Sequence, residues 1–243
     1  MGKRRIKAVF NFFNGFEYIW LFSVVILLSV FIGIFPDVML EDKTNAFVVI
    51  CSAISIISSP VCELLISKQS RFWTLFSLFF VEITDIFVLF NMELYSSAFL
   101  SLFFWIPFDI MTFITWSGKN IDEEKRDLTK VKNFTVWQDV LIVALLLLLG
   151  LLCGKFLPLA SSRSNAYVVA FSNVFEIANG IFLLMRRSEQ WLAWFGYLIC
   201  EVIIWISLEH YVMLITVFAM MINTVYGFVK WLLYNKTHPS PEK

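Results

Sequence analysis

Eight runs of mainly apolar residues, each near the roughly 20 that a helix needs to cross a hydrocarbon core of about 30 Å, divide this chain from end to end. They lie at Ile19–Phe35, Ala46–Ile66, Phe72–Phe90, Ser96–Trp116, Gln138–Phe156, Ala166–Met185, Trp191–Leu208 and Tyr211–Tyr234. The runs are continuous rather than alternating with period two, which argues against a transmembrane barrel and predicts helices. Of the 243 residues 59% are hydrophobic and 16% charged, so too little polar chain is left over for a separate soluble domain. The predicted class is an all-α integral membrane protein with eight transmembrane helices.

Lysine and arginine collect on the side of a membrane from which a chain inserts. With the N terminus inside, Lys3, Arg4, Arg5, Lys7, Lys68, Arg71, Lys119, Lys125, Arg126, Lys130, Lys132, Arg186, Arg187, Lys230, Lys236 and Lys243 all fall on the inner side. Lys43, Lys155 and Arg163 remain outside. A missed or invented span would scramble this sign pattern, so the bias supports both the count and an orientation with both termini cytoplasmic. The first run follows a basic start as a signal peptide would. It is too long for a typical signal core and no A-x-A-like site follows it, so it is predicted to remain as a helix. Cys51, Cys62, Cys153 and Cys200 lie within or at the ends of apolar runs without metal-ligand spacing and read as small core residues. A net charge of zero gives no reason to expect a nucleic-acid partner. The partner that composition demands is the lipid bilayer.

The word NAFVV at Asn45–Val49 returns as NAYVV at Asn165–Val169, and the likeness continues beyond it. Ser52 falls opposite Ser172 and Trp73 opposite Trp191. The short turns NMELY and SLEHY end at Tyr95 and Tyr211, and the closures MTFITW and YGFVKW end at Trp116 and Trp231. Each copy holds three spans, and one span separates them, so both copies enter the membrane from the same side. The predicted organisation is a basic N terminus and extra helix over 1–44, a first three-helix repeat over 45–117, a cytoplasmic linker and connecting helix over 118–164, a second repeat over 165–235, and a polar tail over 236–243. Two such bundles can rock about a site between them. The mixed charges IDEEKRDLTKVK within the Ser117–Trp137 stretch predict a solvated linker.

Glu82, Asp85, Asp109, Glu176 and Glu201 lie inside spans, with no lysine or arginine beside them. A charge at that depth costs about 2.5 kcal/mol or more, so such acids are protonated, hydrated in a cavity, or turned toward a cation from elsewhere. Helical spacing puts Trp191, Trp194, Leu198, Glu201 and Trp205 on one stripe, and Asn173, Glu176, Asn179 and Gly180 on another. Trp105, Asp109, Thr112 and Trp116 align in the fourth span, as do Asn223, Tyr226 and Lys230 in the eighth. Trp73, Trp116 and Trp231, near span ends, are expected as interfacial anchors. Two indoles a turn apart, Trp191 and Trp194, can stack a flat aromatic or cationic ring. Pro60, Pro107 and Gly180 mark expected helix interruptions at depth.

EQWLAW at Glu189–Trp194, INTVYGFVKW at Ile222–Trp231 and WIPFDIMTFITW at Trp105–Trp116 resemble the PnuC family of vitamin transporters. The resemblance covers the seven spans from Asn45 to Trp231, and the first span looks like the additional N-terminal helix of some members. It implies a fold related to SWEET transporters and uptake of nicotinamide riboside by facilitated diffusion, with a cytoplasmic kinase phosphorylating and trapping the product. No cofactor is implied, and the chain has no G-x-x-x-x-G-K-[ST] loop. The family's aromatic motif falls on Trp191 and Trp194, and the polar end of its last span on Asn223 and Tyr226. Where a polar residue is expected within a turn of the second tryptophan the sequence reads FGYLICE, leaving Tyr197 and Glu201 as the nearest polar groups.

The candidate site therefore comprises Trp191 and Trp194 for stacking, and Glu176 and Glu201 facing the cation. Asn179, Asn223 and Tyr226 are its hydrogen-bonding set, and Asp109 joins from the first repeat. The unpaired acids favour a cationic vitamin, nicotinamide riboside first, with thiamine, riboflavin or a deoxynucleoside as alternatives carried by relatives. The expected location is a bacterial cytoplasmic membrane. A membrane enzyme is disfavoured because His210 and His238 lie at a turn and in the tail and no H-E-x-x-H motif occurs. A substrate-binding subunit of an ATP-driven importer is the other alternative, and its uptake would need a separate ATPase.

Overall fold

A computed structural model describes residues 13–34, 46–91, 98–99, 101–122, 128–156, 165–207, 209 and 213–237, with backbone only at 89 and 91. Lys3, Arg4, Arg5, Lys7, Lys43, Lys125, Arg126, Arg163, His210, His238, Lys243 and most of the NMELY and SLEHY turns lie outside the described residues.

Six uninterrupted helices are long and apolar enough to cross a membrane. They are α1 (Gly15–Ile34), α2 (Ala46–Ser67), α5 (Val136–Phe156), α6 (Ala166–Leu184), α7 (Gln190–Ser207) and α8 (Met213–Thr237). Two more helical stretches contain wider π turns. α3 runs through Phe72–Ser77, a π turn at Leu78–Glu82, and Ile83–Asn91. α4 is Ser101–Thr115, with its π turn at Ser101–Trp105. Among the described residues the only extended pairings are isolated bridges. This is a multi-pass, all-helical membrane protein.

Local chemistry sets the starts. Asn14 Oδ1 accepts from Glu17 N while Asn14 N donates to Glu17 Oε2, both at 2.9 Å. That reciprocal capping box begins α1 four residues before the apolar run suggests. Thr135 and Gln138 repeat the device at the start of α5, with bonds of 2.9 and 3.4 Å. Asn165 caps α6 by accepting from Tyr167 N. Pro107 lacks an N–H and crowds the preceding turn, which accounts for the π turn just before it in α4. Pro60 and Gly180 interrupt nothing: each lies inside a continuous helix.

Packing follows a closed circuit. α2 packs on α3, α3 on α4, α4 on α6, α6 on α7, α7 on α8, and α8 on α2. α1 sits outside this ring against α2 and α8, and α5 outside it against α6. α5 exposes apolar residues nearly all round, as a lipid-facing helix must, and approaches α6 through Gly150 and Gly154. Added methyls there would stand 2.2 Å from Phe171 and 2.5 Å from Tyr167, so the glycine pair at i and i+4 permits the contact.

One end of the bundle is tied by the chain between α4 and α5. Thr129 N donates to Gln69 O and Lys132 N to Arg186 O, both at 2.9 Å. Gln69 and Arg186 are the turn residues after α2 and α6, and both adopt positive φ (56° and 58°). Asp122, Thr129 and Val131 are buried, and Tyr234 donates its hydroxyl to Asp122. The expected solvated linker is in this part a strap, because its backbone fills the unpaired carbonyls at two helix ends.

Candidate functional site

Within the ring lies a cavity of about 340 Å³ to which all six ring helices contribute. α2 supplies Ser59 and Glu63, α3 Ser77, Glu82 and Asp85, and α4 Ser101, Trp105 and Asp109. α6 supplies Glu176 and Asn179, α7 Trp194, and α8 Met220. The π turn of α3 places Ser77 and Glu82, five residues apart, on the same lining. Gly180 keeps α6 close to α4, since a methyl there would already stand 3.3 Å from Trp105 and 3.4 Å from Phe108.

The electrostatics are one-sided. Five carboxyl groups line the cavity, and no lysine, arginine or histidine is among its described lining residues. Asp109, Asp85 and Glu176 stand close enough to Glu82 to interact with its charge, while Ser77 sits against Asp109 and Ser101 against Glu82. Asp109 Oδ2, Asn179 Oδ1 and Trp194 Nε1 are buried without a hydrogen-bond partner in the protein. Two acceptors, one indole donor, aromatic faces and a cluster of carboxyl groups suit a flat cation that carries donors of its own.

At the strap end the cavity rests on a layer of tryptophans. Trp73 meets Trp116 at 5.8 Å, Trp116 meets Trp231 at 5.8 Å, and Trp231 meets Trp191 at 5.7 Å. Trp116 Nε1 donates to Leu183 O at the end of α6, and Trp231 Nε1 to Ile66 O at the end of α2. The expected interfacial positions of Trp73, Trp116 and Trp231 are not found: all three are buried, because the strap and its Val131 cover this end and the indoles find partners inside.

The sequence-predicted residues divide accordingly. Trp194, Glu176, Asn179 and Asp109 line the central cavity together. Glu201 lines a neighbouring cavity with Trp194, Leu198 and Trp205 of its own helical stripe. Trp191, 1% exposed, lies in the tryptophan layer with its indole against Gly227 rather than along the cavity. Asn223 is wholly buried and donates to Glu63 Oε2 at 3.4 Å, so it reaches the cavity through that carboxyl. Tyr226 points away, giving its hydroxyl proton to Glu17 Oε1 and accepting from Asn14 Nδ2, both at 2.8 Å. There Glu17, fully buried, joins Lys68 of α2's end at 2.9 Å and Lys230 of α8 at 2.6 Å. Sequence reasoning missed Glu63, which stands three residues from the end of its apolar run. Its spacing of four from Ser59 was the available signal.

A ring of apolar helices in a multi-pass membrane protein, closed around a polar, acid-lined cavity, is the construction of a membrane solute carrier. The sequence model of the family described as "Nicotinamide mononucleotide transporter" matches residues 49–233. The chain belongs to that family, whose members are transporters and not enzymes, in agreement with the PnuC resemblance carried by its tryptophan motifs. It is 23% identical over 230 residues to the nicotinamide riboside transporter PnuC of Haemophilus influenzae, covering 93% of this chain and 94% of that one. It is 22% identical to the nicotinamide riboside transporter PnuC of Neisseria mucosa, covering 96% of this chain and 86% of the relative. Its fold matches the crystal structure of a vitamin B3 transporter PnuC with a TM-score of 0.69 at 21% identity, over 93% of this chain and 94% of that one.

Proposed function

We propose that the chain carries nicotinamide riboside across a bacterial cytoplasmic membrane by facilitated diffusion, with a cytoplasmic kinase trapping the product by phosphorylation. The observation that carries this reading is the central cavity, where Trp194 and Trp105 offer ring faces and Asp109, Glu82 and Glu176 offer negative charge without a protein cation. Nicotinamide riboside is a pyridinium ring on a ribose. About 340 Å³ falls at the small end of the range for ligand cavities, as a ring with one sugar requires. Asn179 Oδ1 and Asp109 Oδ2 are placed to accept from its amide and hydroxyl groups, and Trp194 is the stacking group. Trp191 and Asn223 act as positioning residues, one beneath the site and one behind Glu63, and Tyr226 fixes α1. The two relatives named as nicotinamide riboside transporters support the choice of vitamin.

The same reading takes α3 and α4 as full crossings, giving eight, with both termini inside. It treats 45–117 and 165–235 as parallel repeats of a SWEET-like core joined by the linker and α5. Matched contacts support the duplication: the α2–α8 seam corresponds to the α4–α6 seam, and Trp73 with Trp116 corresponds to Trp191 with Trp231. Quenching of tryptophan fluorescence in the purified protein tests the substrate. Nicotinamide riboside should quench it in preference to thiamine, riboflavin or a deoxynucleoside, and Trp194→Phe should remove most of the signal. Preference for another ligand would overturn the named vitamin, and saturable uptake that needs an added ATPase would overturn facilitated diffusion.

A further inference from the structure

Beside the central cavity lies another of about 260 Å³, toward the end of the bundle where α7 gives way to α8. Trp205 from the last turns of α7 and Met213 and Thr216 from the first turn of α8 line it, with Tyr197 and Glu201. Ser59, Trp194 and Met220 belong to both cavities. The Trp194 indole lies flat on the Tyr197 ring, with centroids 4.6 Å apart and planes 15° from parallel. Trp194 thus stands at the boundary of the two spaces, with Tyr197 on the side of the second.

The chemistry of the central cavity recurs here. Three aromatic side chains surround one carboxyl, and no lysine, arginine or histidine is among the described lining residues. Glu201 Oε1 accepts from Ser172 Oγ at 3.0 Å, a neutral partner that orients the carboxyl without cancelling its charge. Aromatic faces beside a carboxyl that pairs with no lysine or arginine suit an aromatic cation, whose own charge would favour the ionised carboxylate. Apolar residues alone would have sufficed to pack α7 against α8, so a carboxyl oriented into this cavity requires another reason.

We propose that this second cavity is a binding site for the same ligand class, a flat aromatic cation, and that ligand passes to the central site by displacing Trp194 from Tyr197. The inference rests on the ring-cation reading of the central cavity and adds a staging site to it. Two sites in series let each bind weakly enough to release while the pair still gathers ligand.

Titration calorimetry on the purified full chain tests it, with nicotinamide riboside and 1-methylnicotinamide, the bare ring cation, as probes. The parent protein should bind two equivalents of nicotinamide riboside, and Glu201→Gln should bind one. Should that variant fail to fold, Thr216→Phe, which fills the cavity from α8, is read in its place with the same expectation. One equivalent in the parent, or two in both variants, overturns the second site. Failure of nicotinamide riboside to bind, together with Glu201-dependent binding of 1-methylnicotinamide, overturns the proposed substrate and keeps the second site. No Glu201-dependent binding of either probe overturns the second site itself.

Discussion

Replacing Gly227 by alanine puts the tryptophan layer to a quantitative test. A methyl built on Gly227 would stand 2.4 Å from Cζ2, 2.5 Å from Cη2 and 2.8 Å from Cε2 of Trp191. Carbon atoms normally rest about 3.5–4.0 Å apart, so the ring must retreat by roughly 1 Å. It has little room to do so: Trp191 is 1% exposed and abuts Trp231, which itself abuts Trp116 and is hydrogen-bonded to Ile66 O. Helix propensity alone would favour alanine by about 1 kcal/mol. Overpacking a rigid core site costs about 1–3 kcal/mol, and a ring held on both sides belongs at the upper end, for a net loss of roughly 1–2 kcal/mol. The atoms struck belong to the indole's six-membered ring, so Trp191→Phe should relieve the clash. The double variant should then be more stable than the sum of the single effects by about 0.5 kcal/mol or more. Thermal unfolding of the four proteins in one detergent measures the cycle. Strict additivity, or a Gly227→Ala protein as stable as the parent, would show that Trp191 is not clamped against α8.

Three further outcomes follow from contacts elsewhere. Glu17→Gln leaves Lys68 and Lys230 without their shared buried counter-charge and should lower the unfolding free energy, by about 3 kcal/mol for a fully buried group and less here because Lys230 is a third exposed; an unchanged unfolding midpoint would discount the network. Thr129→Val removes the hydroxyl that donates to Trp116 O at 2.9 Å in a buried site, for a loss of about 1–2 kcal/mol, and proteolysis of the strap should speed up in step. Burial pushes the Glu189 carboxyl above the ordinary glutamate value while its Oε1 accepts from Phe134 N. An acid raised in the folded state stabilises most when protonated, so this contribution is full below the unfolded value of about 4.3 and declines as pH rises through the raised one. Glu189→Gln should flatten that part of the stability profile, and superimposable profiles for the two proteins would rule the assignment out.

Span positions were legible because they rest on a one-dimensional property, the length of apolar runs: α2 and α6 begin at the expected Ala46 and Ala166. The start of α1 was missed because it depends on Asn14 and Glu17, polar residues that a hydropathy reading places outside the span. The stripe Trp194, Leu198, Glu201 and Trp205 was legible from helical spacing, and the four do share a lining. Spacing could not say that Trp191, one turn earlier, falls below the cavity, since that depends on the register of α7 against α8, which sets it on Trp231, and on Gly227 opening room for an indole. The same limit applied to Tyr226: periodicity aligned it with Asn223, but Glu17, distant in sequence, decides where its hydroxyl points. The strap was read as solvated because its charges are dense, whereas its burial comes from backbone bonds that leave no mark on composition.

The contacts also bear on the extent of the proposed repeat. α1 packs on α2 as α5 packs on α6, and each begins with a reciprocal cap between residues three apart. If the halves are repeats, the unit on these grounds has four helices, with α1 the counterpart of α5. The attachments nevertheless differ in kind. α5 is held by close approach of Gly150 and Gly154 to α6 alone among its larger contacts, whereas Glu17 of α1 ties Lys68 at the end of α2 to Lys230 of α8. α1 thus bridges α2 and α8, and α5 makes no matching ion-pair bridge between α4 and α6. A motion that parts α2 from α8 at the strap end must break a buried ion pair, while parting α4 from α6 breaks no bond to α5. If the proposed halves rock, opening the α2–α8 seam at this end breaks the Glu17 ion pairs as well as the Trp231 bond to Ile66 O, whereas opening α4–α6 breaks the Thr115 and Trp116 bonds to the end of α6 and, among the described residues, no ion pair.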